Sequence, residues 1–320
     1  MAPNRLIVDT DGGVDDAQAL LLLIAAGRVP DAVTTTFGNV SLEAATKNVL
    51  ATLAVAGAAV PVHMGAVQPL AQDWIDAHHV HGEDGLGGAP RPERTAGIAG
   101  SDAVGFLAST LSAAAATADP VDLLTIGPLT NLALALQRAP GIAAGIGRLT
   151  IMGGTVYGRG NVTPAAEFNI FSDPEAAAIV FGAAIDTTVV PWEACLAHAL
   201  AGAEIDRIFA PVIASDYKAF AQFLVQHDRK RHIRNGQGDC FFFIDPLAAA
   251  VVVEPGMVTK SLRASLAVAL APGVTRGMTV VDPSGRLGTP DVTLVEEVRL
   301  DRLATLYAAS VAYVRPSPAV

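Results

Sequence analysis

Arg5-Leu6-Ile7-Val8-Asp9-Thr10-Asp11-Gly12-Gly13-Val14-Asp15-Asp16 is the stretch on which the fold turns. The apolar run from Arg5 to Asp9 reads as a buried strand, the glycine pair as a tight turn, and Asp15 to Ala26 as an apolar helix that begins on acidic residues. The same order continues outward. Strands are read at Ala32 to Phe37, Val60 to Met64, Val121 to Ile126, Leu149 to Met152 and Thr187 to Pro191. Helices are read at Leu42 to Ala56, Asp102 to Ala116, Leu129 to Gln137 and Pro174 to Phe181. Strands that alternate with helices signal an α/β protein, here an open, mostly parallel Rossmann-like sheet with helices on both faces. From Gly202 to about Val253 the pattern is mainly helical, so a mainly helical C-terminal part is expected. Short strands follow near Ser265 to Leu270 and Met278 to Val281, then a closing helix from Asp301 to about Tyr313. No internal repeat is seen, and residues 1–320 are expected to form a single domain.

Composition excludes several classes. The chain is 51% hydrophobic, yet no apolar stretch approaches the ~18 residues that cross a bilayer. The longest candidate, Ala17 to Ala26, contains Gln18 and reads as a core helix. No membrane association is expected. Met1 to Arg5 runs straight into a strand and an acidic turn, unlike a secretory signal, so a cytoplasmic location is expected. The net charge of -10 repels nucleic acid. The densest basic run, Arg229 to Arg234, reads as a solvated helix face. Cys195 and Cys240 are too few for a disulfide scaffold and wrongly spaced for zinc; both read as buried thiols.

Ligands of open parallel sheets collect beyond the carboxyl ends of the strands. Asp9-Thr10-Asp11, Gly38-Asn39, Gly127-Pro128 and Gly153-Gly154 all fall there, which implies one site fed by several strand ends. The first turn puts four carboxylates into eight residues. That much like charge needs a compensating cation. Oxygen-only donors favour calcium or magnesium over zinc. Asp15 and Asp16 could simply begin a helix, but this explains neither Asp9 nor Asp11.

Strand-Asp-x-Asp-Gly also resembles the haloacid-dehalogenase phosphatases, which need a downstream lysine and a later acidic pair. Lys218 and Lys230 lie in helical segments with no such pair after them. The first turn, read with His81-Gly82-Glu83-Asp84-Gly85-Leu86-Gly87-Gly88, Thr125 to Asn131, Met152-Gly153-Gly154, Ala166-Glu167-Phe168-Asn169 and Asp245-Pro246, instead resembles the inosine-uridine nucleoside hydrolase family. The match runs in order from about residue 5 to residue 255.

That resemblance implies calcium-dependent hydrolysis of the N-glycosidic bond of ribonucleosides, with a small-molecule nucleoside as the partner and a homodimer or homotetramer as the assembly. The implied calcium ligands are Asp11, Asp16, the backbone carbonyl of Ile126, and Asp245, with Asp11 also the general base. Asp15, Asn39, Asn169 and Asp245 would contact the ring hydroxyls, and Asn161 and Glu167 the 5′-hydroxyl. Met152 would line the lower face of the sugar. Phe168 and Pro174 read as packing, Thr130 and Asn131 as stabilisers of a helix start, and His63 as a satisfied core histidine.

Two positions depart from the family's pattern. Gly12 stands where the family usually carries proline, a change that would loosen the turn without removing a ligand. Ile244 stands where many members carry the histidine that protonates the departing base. The substitutes are His81, which opens the matched glycine segment at the pocket mouth, and then His78, His79, His232 and Asp239. Trp74 and Trp192 are candidate stacking surfaces. This leans the preference toward purine nucleosides. A ribosyl-binding protein that keeps the pocket without turnover is the reading of a different class, and the retained Asp11 argues against it.

Overall fold

Strand β1 (Arg5–Thr10) exposes only its first residue, and a strand apolar on both faces needs a helix layer on each side. The computed structural model, which describes residues 3–315, shows that arrangement; the Met1-Ala2 start of the N-terminal reading lies outside it. After β1 come α1 (Val14–Ala25), β2 (Ala32–Thr35), α2 (Leu42–Ala56), β3 (Val62–Met64), α3 (His78–His81), α4 (Ala103–Thr117) and β4 (Val121–Thr125). Next are α5 (Thr130–Arg138), β5 (Ile146–Met152), α6 (Phe168–Ser172), α7 (Pro174–Phe181), β6 (Thr187–Val190), α8 (Trp192–Ala197), β7 (Ala199–Ala201) and α9 (Gly202–Phe209). The chain continues through α10 (Asp216–Arg234), β8 (Cys240–Phe242), α11 (Asp245–Val253), β9 (Val258–Val268), β10 (Thr279–Asp282), β11 (Asp291–Val298) and α12 (Leu300–Val311).

Nine strands form one sheet in the order β10-β9-β11-β6-β5-β4-β1-β2-β3, while β7 and β8 pair separately. β1 sits parallel between β2 and β4, with Ile7 opposite Ala32 and Leu123. Antiparallel pairing is confined to the far end, where β9 lies between β10 and β11. Side chains alternate across a strand. Leu6 and Val8 therefore join the core beneath α1, α2 and α11, whereas Ile7 joins the opposite core with α4, α5 and α7.

The mostly parallel α/β sheet agrees with the sequence reading, and α2 and α7 carry the expected bounds. The C-terminal part is less helical than expected. β9 spans eleven residues and β11 eight, and β11 was not anticipated. Both belong to the antiparallel end, where Lys260, Arg263 and Glu297 are exposed, so their apolar signal is diluted by a solvated face. His63 is not a core histidine: β3 is the edge strand, and the half-buried ring stacks on Phe106 with centroids 3.9 Å apart. Cys195 is buried as expected, but Cys240 is only half-buried.

Thr130 and Asn131 are structural in a different way from that expected. No side chain caps α5. Asn131 Nδ2 donates to Asp9 Oδ1 (2.8 Å) and to the Thr35 carbonyl (3.1 Å), and its Oδ1 accepts from Ala66 N–H (2.8 Å). Thr130 donates to Asp173 Oδ2 (2.7 Å), and Asp173 also caps α7 by accepting from Ala176 N–H. Asn131 thus fastens the ends of β1 and β2 from below the site. Asn131→Ala, by leaving buried polar groups unpaired, is expected to lower stability by about 3 kcal/mol in denaturant unfolding. A loss under about 1 kcal/mol would show that the three bonds contribute no net stability.

Candidate active site

Only Asp11, Gly12 and Gly13 separate β1 from α1, so the strand end and the first helical turn present their carboxylates to one spot. Gly12 has φ +68°, and a Cβ there would lie 2.6 Å from the Ala45 Cα; its carbonyl accepts from Asn48 Nδ2 at 2.8 Å. The turn is therefore clamped against α2, and the loosening expected of glycine at this position does not occur. Asp16 bonds back to Gly13 N–H (2.7 Å) and accepts the Thr10 hydroxyl. Asp11 accepts from Asn39 N–H (2.7 Å) and Asn39 Nδ2 (2.9 Å), and the same amide nitrogen reaches Asp16 Oδ2 (3.2 Å). Room for Asp11 depends on glycine: a Cβ on Gly38 would fall 2.0 Å from Asp11 Oδ2.

Asp245 arrives from the other end of the chain as the first residue of α11. One carboxylate oxygen each from Asp15, Asp16 and Asp245 lies within 4.8 Å of the others. Burial pushes the carboxyls of Asp11, Asp15, Asp16 and Asp245 above the usual range; in Asp11, Asp16 and Asp245 the neighbouring carboxylates push them further. Asp15 Oδ1 is buried without a hydrogen-bond partner. Hard oxygen donors that repel one another, with an orphaned carboxylate oxygen among them, fit a divalent cation such as calcium.

Above this cluster lies a cavity of about 430 Å³, a volume suited to a small molecule. Nine of the eleven residues proposed from the sequence line it: Asp15, Asn39, His81, Ile126, Met152, Asn161, Glu167, Asn169 and Asp245. Asp11 and Asp16 lie beneath that lining with no exposed surface. Glu167 caps α6, accepting from Asn169 N–H (2.9 Å) and Ile170 N–H (3.2 Å), and also from Gly154 N–H (2.9 Å). Its burial pushes the carboxyl up to about 7. Asn169 Nδ2 donates to the Met152 carbonyl at 3.2 Å. The Asn161 carbonyl oxygen accepts from Phe168 N–H (2.8 Å), which leaves its amide nitrogen to meet a ligand.

His81 Nδ1 accepts from Val14 N–H at 3.1 Å, so the ring is neutral with its proton on Nε2. Burial lowers its pKa to about 3, which suits it to donate a hydrogen bond and not to act as an imidazolium acid. Of the other substitutes for the missing histidine, only His79 reaches the cavity. His78 pairs with Asp76, His232 bonds Gln237, and Asp239 pairs with Arg229. Trp192 lines the wall, while Trp74 donates to the Gly38 carbonyl at 2.8 Å and does not. Phe168, read as packing, is part of the wall. The basic run is not simply a solvated face, because Arg231 lines the cavity and Arg229 pairs with Asp206 and Asp239. The signal was present in α10: Arg231 stands three residues after buried Asp228 and seven after buried Leu224, a helical inner-face spacing.

The sheet and the acid-floored cavity at its strand ends define an α/β enzyme for a small molecule. The model of the family described as "Inosine-uridine preferring nucleoside hydrolase" matches residues 6–305, and the chain belongs to that family. Its enzyme class is therefore that of the N-glycosyl hydrolases. The chain is 36% identical over 290 residues to the non-specific ribonucleoside hydrolase RihC of Salmonella enteritidis, covering 90% of this chain and 91% of the relative. Among solved structures, the plant nucleoside hydrolase PpNRh1 superposes with a TM-score of 0.88 at 28% identity, covering 97% and 99% of the two chains. A purine-preferring ribonucleoside hydrolase from Gardnerella vaginalis gives 0.85 at 27% identity, covering 97% and 98%.

The electrostatics of the floor fix a pH dependence. An Asp whose folded pKa is raised above its unfolded 3.8 keeps its proton after the unfolded chain has lost it. The metal-stripped protein is thus expected to lose stability as pH rises from about 4 toward neutral. A divalent cation is expected to raise the thermal midpoint more at pH 7 than at pH 5. Midpoints measured across that range with chelator and with calcium check this; an equal cation effect at both pH values would contradict it.

Proposed function

We propose that this nucleoside hydrolase acts on ribonucleosides, carries calcium as its cofactor, and prefers purine nucleosides. The observation that supports the reading best is that Asp15 and Asp16 from the first turn and Asp245, some 230 residues later, converge beneath one cavity. Asp11, Asp16, the Ile126 carbonyl and Asp245 would hold the ion. When bound, calcium supplies a fixed position and a lowered pKa for one water molecule.

Asp11, oriented by both N–H groups of Asn39, accepts a proton from the attacking water. The water oxygen bonds to the anomeric carbon as the C–N bond breaks, and that electron pair leaves with the base. One carboxylate serving a water implies inversion. Positive charge that spreads over the ribose is met by Asp15, Glu167 and Asp245, and by the amide oxygen of Asn169. Asp15, Asn39, Asn169 and Asp245 contact the ring hydroxyls, Asn161 and Glu167 the 5′-hydroxyl, and Met152 the lower face of the sugar. His81 presents its Nε2–H to the substrate. Ile244 on the wall offers no proton, and Trp192 offers a stacking surface, which supports the lean to purines. The enzyme is proposed to be a cytoplasmic homodimer or homotetramer. Among the described residues no helix is long and apolar enough to cross a membrane.

A reducing-sugar assay on a nucleoside panel tests the reading. Ribose is expected without added phosphate, with activity lost to chelator and regained best with calcium. Asp11→Ala is expected to lower the rate by at least ~10²-fold. Faster release from uridine than from inosine at matched low concentrations would end the purine preference, and full recovery with magnesium alone would end the calcium assignment.

A further inference from the structure

Resting on the reading of the cavity as a ribonucleoside site, we propose that Arg231 reads the base, that buried Asp228 positions it, and that it selects bases presenting a ring carbonyl over those presenting an amine at the same place. Inosine would be favoured over adenosine, and uridine over cytidine.

The cavity is uneven in chemistry. Its floor of buried carboxylates and amides suits a polyhydroxylated sugar. The opposite end is largely apolar, formed by Phe168, Trp192, Leu196 and Ile244. Such surfaces hold any base by stacking and distinguish little between them. The polar groups at this rim include Asn235 and Gln237, whose amides both donate and accept and so suit either a carbonyl or an amine. Arg231 differs from both. It is the only Lys or Arg among the described residues that line the cavity, and a guanidinium donates without accepting. A base carbonyl meets it with a lone pair; an exocyclic amine meets it with another donor.

Arg231 is also held in place. Its guanidinium lies 3.9 Å from Asp228 Oδ1, with the two side chains 19% and 12% exposed, and its NH2 nitrogen lies 3.3 Å from His232 Nε2. Asp228 Oδ2 accepts from Gln18 Nε2 (3.1 Å), and Gln18 Oε1 accepts from the Tyr307 hydroxyl (3.1 Å). A line of buried side chains thus runs from α12 through α1 to α10 and ends at the cavity wall. Arg231 Nε is buried without a partner, a donor that an arriving acceptor could satisfy. A 5′-phosphate is the less suitable acceptor, since the proposed 5′-hydroxyl site is walled by the Glu167 carboxylate.

The test is kcat/KM for inosine, adenosine, uridine and cytidine on the calcium-loaded protein and its variants. Arg231→Gln is expected to lower the inosine-to-adenosine and uridine-to-cytidine ratios by about 10- to 100-fold, as befits loss of a charged hydrogen bond. Arg231→Lys keeps the charge without the planar fork, and it should fall between wild type and Arg231→Gln; it is read alone if the glutamine variant does not fold. Asp228→Asn keeps the shape and removes the anchoring charge, and it should lower both ratios in the same direction by a smaller factor. Ribose release with unchanged ratios in the Arg231 variants would overturn the proposal. So would an equal fall for all four nucleosides, which is the mark of a counterion to the acidic floor. No ribose from any of the four with the unaltered protein would instead overturn the functional reading beneath it.

Discussion

Four buried carboxylates that repel one another at the end of β1 set the terms for the rest of the molecule. Asp11, Asp15, Asp16 and Asp245 sit where burial and mutual proximity both disfavour charge. A fold free to relax would separate them. Here the three-residue turn, the Asn39 amide and the start of α11 hold them together. The arrangement stores an affinity for a cation, because the interactions that would hold an ion are unfavourable to the protein without one.

Holding that cluster takes structure well outside it. Asn131 ties Asp9 to the Thr35 carbonyl and the Ala66 amide, so the ends of β1 and β2 cannot splay. Asn48 fixes the Gly12 carbonyl from α2. Gly38 is required by the space that Asp11 occupies, since even one added carbon would overlap its carboxylate. These are positional demands, made by hydrogen bonds and close approach, and they explain why small and amide residues surround the acids.

The sugar end and the base end of the cavity follow different rules. At the sugar end, buried polar groups are matched through backbone N–H groups and amides, as with Glu167 and Asn169. The base end is built of aromatic and aliphatic surfaces around a single guanidinium. With Ile244 in place of a histidine and His81 kept neutral by the Val14 amide, electrostatic discrimination at the base end falls mainly to groups that never change their charge.

Much of this was open to reading along the chain. Apolar β-branched runs ending in acidic or glycine turns determine a parallel sheet and the end at which its site lies, because both depend on local periodicity and on short-range turn chemistry. The acids at residues 9 to 16 and the Glu167-Asn169 segment were visible for the same reason. Only the tertiary structure decided that Asp9 belongs to the Asn131 clasp while Asp11 and Asp16 lie below the cavity lining, that His81 is neutral, and that Arg231 turns inward from a basic run. These outcomes depend on which long-range neighbour shares a buried volume with each side chain, and burial, not residue type, sets both a carboxyl's proton affinity and an arginine's direction. β11 escaped notice for a related reason: its strand character comes from pairing with β9 and β6 more than from its own half-charged sequence.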